Sequence, residues 1–159
     1  MLCYLQNKNE RDYALAFIQK VAQPSVANYM VLWRKAKRLN IAHQRILGTE
    51  IDLQNILWIY RLKRFYQMFD SRVYSHLVPV RHRLAEEVIE KMVTGRDVAS
   101  LQSALAATTY AHLFGQFFAP NENFLSPEKT LQKLVRQLYK KESRHCHLAL
   151  LCHHLMERG

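Results

Sequence analysis

Between Glu50 and Tyr66 the chain reads EIDLQNILWIYRLKRFY, and this stretch constrains the fold more than any other. Plotted at about 100° per residue, its apolar residues fall on two opposite sides of one helix. Leu53, Ile56, Leu57 and Tyr60 form one stripe, and Ile51, Trp58, Ile59, Leu62, Phe65 and Tyr66 form the other. Gln54 and Arg61 line one seam between them, with Asp52 and Lys63 along the other. A helix that is apolar on two faces packs on both, so this one is expected to run through the middle of a helical assembly. Asn55 falls inside the second stripe. A buried amide needs partners, which predicts hydrogen bonds to a neighbouring helix or loop. The alternative is a surface amide near a partly exposed helix end.

The rest of the chain also reads as helix. Glu10 to Ala22 carries Tyr13, Ala14, Phe17, Ile18 and Val21 at helical spacing, closed by Pro24. Ser25 to Leu39 follows, with Val26, Tyr29, Met30 and Trp33 on one side. The cations Arg34, Lys35, Lys37 and Arg38 near its end suit the helix dipole. Gly48-Thr49 punctuates what comes next, and Thr49 with Asp52 makes an N-terminal cap for the doubly apolar helix. Further helices are expected over Asp70–Leu77, Leu84–Val93, Val98–Ala107 and Thr109–Phe118. After a loop at Asn121-Glu122-Asn123, Ser126-Pro127-Glu128 combines a cap, a proline at the first helical position and an early acid. The helix it starts carries Leu131, Leu134, Val135 and Leu138 at i, i+3, i+4, i+7. That stripe either folds back onto the chain's own core or drives self-association or docking on another subunit.

Composition closes off several other classes. Only 4 of 159 residues are Gly, which disfavours a turn-rich β-sandwich or barrel. Nothing approaches the roughly 18 apolar residues that span a bilayer. MLCYLQNKNERDY lacks the basic and apolar regions of a secretory leader. Cys3, Cys146 and Cys152 form no disulfide framework, and their odd number fits a reducing compartment. A single all-helical cytoplasmic domain over residues 1–159 is the expectation.

The formal charge of +10 suggests an anionic partner such as nucleic acid, a lipid surface or an acidic protein face. A solvated basic surface with no dedicated ligand explains it equally well.

Catalytic and metal signatures are weak. His145, Cys146, His147, Cys152, His153 and His154 suit zinc in residue type. Their same-face pairs, however, lie two helical turns apart, about 10.5 Å along the axis. Chelation from one helix needs i, i+3 or i, i+4 spacing, so no metal is expected. There is no glycine-rich phosphate loop, so ATP binding is not expected either, nor any other cofactor. Glu86, Glu87 and Glu90 read as a solvated helix face.

The run GTEIDLQNILWIYRLKRFY followed by LVPVRHRL resembles the C/d family of V-type rotary ATPase subunits. The resemblance lies in the acidic-x-x-Asn pair, the adjacent Trp-Ile-Tyr-Arg, the basic-aromatic ending, the Leu77-Val78-Pro79 turn and the later SPEKTLQKLVRQLYK helix. It covers roughly Tyr13 to Tyr139, with 140–159 a diverged tail. It implies an all-α helical bundle like part of that family's funnel, which is built from three related repeats. It also implies a non-catalytic role, joining the central stalk to the membrane rotor ring in ATP-coupled proton or sodium transport. The partners implied are the stalk and ring subunits, so the chain would be cytoplasmic and peripheral to the membrane through the complex. A further acidic-x-x-Asn repeat does not follow, and Arg144 to Gly159 lacks the family's pattern, so a shortened or diverged member is expected. Asp52, Asn55, Arg61, Leu131, Leu134 and Leu138 are the structural or partner-facing candidates. The second reading, a basic helical nucleic-acid-binding module, rests on charge alone; no recognition motif supports it, and Trp33, Trp58, Tyr60 and Phe65 suit helix packing.

Overall fold

Local signals start the helices where polar caps allow. The computed structural model describes residues 7–111, 127–142 and 154–158. The Asn7 side chain accepts from Glu10 N at 2.8 Å and opens α1 (Lys8–Ala22). Ser25 Oγ accepts from Asn28 N at 3.2 Å and opens α2 (Val26–Ala36). These satisfy amide groups that a helix start leaves without carbonyl partners. Helix α3 (Ile41–Arg64) is followed by α4 (Asp70–Ser75), α5 (Glu86–Thr94), α6 (Val98–Ala106) and α7 (Pro127–Glu142). Residues 154–158 are also helical. No strand occurs among the described residues, and the fold is all-α.

Several helix boundaries fall two or three residues from expectation, and one falls further. The doubly apolar helix does not begin at Thr49 but at Ile41, capped by Asn40, whose Oδ1 accepts from His43 N at 3.2 Å. Thr49 Oγ1 instead donates to Arg45 O one turn back, at 2.8 Å. Gly48 costs about 1 kcal/mol inside a helix. The burial of every residue from 46 to 50 offsets that cost. The far end also differs from expectation. Phe65 and Tyr66 lie past the end of α3, 64% and 72% exposed, and so do not extend the buried stripe.

The chain divides into two units, one of Met1–Glu50 with Gln132–Gly159 and one of Ile51–Leu131. In the first, Tyr13, Ala14 and Phe17 of α1 are buried, with Tyr29, Leu32 and Ala36 of α2 and Ile46 and Leu47 of α3. Val135 and Tyr139 of α7 complete this core, and Phe17 meets the Tyr139 ring edge-on at 5.5 Å. In the second unit, Ile51, Leu53, Ile56, Leu57 and Ile59 of α3 are buried. So are Leu77, Val78 and Leu84 from the following segment, Ile89 and Met92 from α5, and Leu101 and Leu105 from α6. Asp97 caps α6 by accepting from Ser100 N at 2.8 Å. Glu86, Glu87 and Glu90 are exposed on α5, the solvated face that their spacing predicts. Of the helix expected over Thr109–Phe118, residues 112–118 lie outside the described residues, as do the Asn121–Asn123 loop and the Ser126 cap.

Candidate functional site

Three polar residues within six positions of α3 are buried, and each is held by several hydrogen bonds. Glu50 is 4% exposed, Asp52 and Asn55 0%. Polar groups withdrawn from water at this depth cost several kcal/mol unless their bonds are replaced, so their partners reveal how the fold is fixed.

Glu50 gathers four helices of the first unit. Lys20 of α1 forms an ion pair with its Oε1, and Tyr29 of α2 donates to the same oxygen at 3.1 Å. Tyr139 of α7 donates to Oε2 at 3.4 Å. The Lys20 ammonium also lies over the Phe17 and Tyr29 rings, 4.6 and 5.4 Å from their centroids, where the ring faces favour a cation. Burial, and then the neighbouring carboxylate, push the Tyr29 hydroxyl well above its ordinary range.

Asp52 and Asn55 hold the segment from 77 to 83 in the second unit. The Asn55 amide is used at both ends: Nδ2 donates to Val78 O at 3.0 Å, and Val78 N donates to Oδ1 at 2.9 Å. This is the buried, loop-bonded amide that its place in the apolar stripe predicts. Asp52 accepts from Arg83 N at 2.7 Å, from His82 N at 3.3 Å and from the Tyr110 hydroxyl at 2.7 Å. Burial pushes its carboxyl above the usual carboxylate range, and these hydrogen bonds pull partly against it. Asp52 therefore bonds this turn from the interior of α3 and is not part of a cap with Thr49. Arg81 reinforces the same turn, donating to Val78 O at 3.0 Å and pairing through Nε with Glu86 at 2.8 Å.

The remaining candidates fall elsewhere. Arg61 is half-buried on α3. The side chains of Leu131, Leu134 and Leu138 lie outside the described residues. Val135 of the same stripe is described and is 3% exposed, so at that position α7 packs on the chain itself. Of the terminal His and Cys residues, 145–153 lie outside the described residues, and His154 Nδ1 stands 3.9 Å from Glu157. Among the described residues no three His, Cys, Asp or Glu side chains group as metal ligands. Among them, too, no helix is long and apolar enough to cross a membrane.

Sequence reasoning misses the Glu50 hub. The available signal is Lys20, which continues the apolar face of α1 after Tyr13 and Phe17; a lysine in that place needs a buried anion.

This arrangement has the character of a scaffold, with carboxylates and an amide engaged in fixing helices and a turn. The family model described as ATP synthase (C/AC39) subunit matches residues 26–152, well over half of the chain. Nothing matches among the curated proteins or the solved structures. The matched span includes all of α3, the Val78 turn and α7. The chain belongs to the C/AC39 family of V-type ATP synthase subunits.

Proposed function

We propose that this chain is a non-catalytic subunit of a V-type ATPase or ATP synthase, linking the central stalk to the membrane rotor ring in ATP-coupled proton or sodium transport. The observation that carries the reading is the family match over residues 26–152. The physical character of α3 supports it. A part that passes on torque must not deform under load, and a helix packed on both faces and cross-bonded by buried polar groups resists bending. In this reading the chain works without a cofactor, in the cytoplasm, and reaches the membrane only through the complex. Arg61 and the α7 residues Leu131, Leu134 and Leu138 are its proposed partner-facing positions.

Affinity purification of the tagged full chain from detergent-solubilised membranes tests this. Stoichiometric recovery of stalk and ring subunits is the expected result, and recovery of none of them would overturn it. If the +10 charge instead reflects nucleic-acid binding, random-sequence duplex should bind tightly and weaken steeply with salt. That outcome would favour the second reading.

A further inference from the structure

Where α3 ends, the second unit carries a cleft of about 490 Å³. Met68, half-buried, is its accessible apolar residue, since Ile59, Met92 and Leu101 are 0%, 2% and 5% exposed; Lys63, Arg64 and Arg96 bring positive charge and Asp97 one negative charge. Three large aromatics stand close by in sequence: Phe65, Tyr66 and Phe69, at 64%, 72% and 80% exposure. Exposed single apolar residues are ordinary, but three within five positions are the composition of a contact surface.

The charges around the cleft are not mutually neutralised. Lys63 pairs with Asp70 at 2.6 Å. Asp97, the acid that lines the cleft, accepts from Ser100 N and Oγ and keeps its negative charge, so Arg64 and Arg96 leave the cleft one positive charge in excess. Arg64 lies over the Tyr60 and Phe65 rings, 6.0 and 5.9 Å from their centroids, and Arg96 is exposed. The helix dipole accounts for cations in the last turn of α3. It does not account for Arg96, which approaches the cleft from the α5–α6 connection. The turn itself is held in an unusual shape: Gln67, also in the lining, has φ of 47°, a conformation uncommon for a residue with a side chain.

We propose that this cleft docks a short acidic segment of a partner protein, which seats an apolar side chain against Met68 and sets carboxylates against Arg64 and Arg96. Charge complementarity selects an acidic occupant. The volume lies within the range of about 300–1,000 Å³ typical of ligand pockets, enough for a short segment but not for a folded domain. Met68 in the lining adapts to the shape of the side chain it receives. Cations beside aromatics also suit an anionic lipid surface. A concave floor, however, is filled by a protruding side chain and not by a bilayer face. The inference rests on the chemistry of the cleft and stands apart from the rotary-ATPase reading.

The test uses the full chain as bait for a phage-displayed library of random peptides about 15 residues long, four helical turns if helical. The expected enriched peptides combine Asp or Glu with Leu, Phe or Met. Synthesised singly, such a peptide should shift the methyl resonances of Met68 and Met92 in methionine-labelled protein. Its affinity should fall about tenfold or more in the Arg64→Glu/Arg96→Glu double variant. Both arginines are exposed, so an unchanged thermal midpoint should show that this variant still folds. The proposal is overturned by no enrichment, enriched peptides without acidic excess, equal binding to the double variant, or unmoved Met68 and Met92 signals. Phosphatidylserine vesicles that shift those methyls where no peptide does would assign the cleft to lipid instead, and would equally overturn it.

Discussion

Removing the Asn55 amide does different things to the two sides of Val78. The carbonyl keeps the Val80 N–H at 2.8 Å and the Arg81 guanidinium at 3.0 Å. The Val78 N–H loses its acceptor while fully buried. Asn55→Leu should therefore cost about 1–3 kcal/mol, the penalty of one buried orphan donor. Urea unfolding checks this, and a midpoint unchanged from wild type would show the bond to be dispensable. Asn55→Asp separates the two ends. It retains an acceptor for the N–H but sets a carboxylate oxygen against the Val78 carbonyl. Burial and that carbonyl both disfavour the charge, so the new carboxyl should titrate above the ordinary range. The variant should accordingly be weakest at neutral pH and recover as the pH falls. Asn55 is legible in the sequence because an amide inside an apolar stripe must find partners. Asp52 is singled out there through the acidic-x-x-Asn pair, but its role is not legible, because a helical wheel cannot show the turn at 82–83 that it bonds. Glu50 stands in the sequence as no more than the first residue of the doubly apolar run, since its partners come from three distant stretches.

Helices, considered as elements, are legible where a cap or a proline coincides with the hydrophobic period. The starts of α2 and α6 follow from Ser25 and Asp97, while α1 begins at Lys8, two residues before the expected Glu10. The beginning of α3 is not legible, because Gly48-Thr49 carries the local signature of a break, which tertiary burial overrides. At this scale the Glu50 hub is testable. Lys20→Met removes the cation and leaves Glu50 buried against two hydroxyls, an uncompensated charge that should cost about 3–5 kcal/mol. Lys20→Met with Glu50→Leu removes both charges and should return much of that loss, since well-packed apolar replacements of buried pairs are often neutral. A double-mutant cycle in urea measures the coupling. Additive losses would mean that Glu50 is held mainly by something other than Lys20.

For the molecule as a whole, acid should act on the two units with opposite sign. Burial lowers the His43 imidazole to about 4 from 6.5, so the folded state keeps it neutral where the unfolded chain would protonate it. Its contribution is fully present above about pH 6.5 and is lost as the pH falls through about 4, about 3 kcal/mol in all. Asp52 is raised above 3.8; its contribution is present below that value and is lost as the pH rises through the folded pKa. Amide-exchange protection factors around His43 should therefore fall between pH 7 and pH 4.5, while those around Asp52 hold or rise. His43→Phe keeps an aromatic ring against Tyr13, now 5.2 Å from the imidazole, and should flatten the acid loss. An acid limb unchanged by that substitution would exonerate the histidine. A different consequence follows from α3, where no residue from 46 to 63 is exposed. Neutral substitutions come from positions that touch little, and this run has none on an open face. Helices with a wet side, such as α5 with its acids outward, can change half their letters over generations while keeping their fold. The run that carries the family resemblance is thus the one with the least freedom to drift, and descent should stay readable there longest.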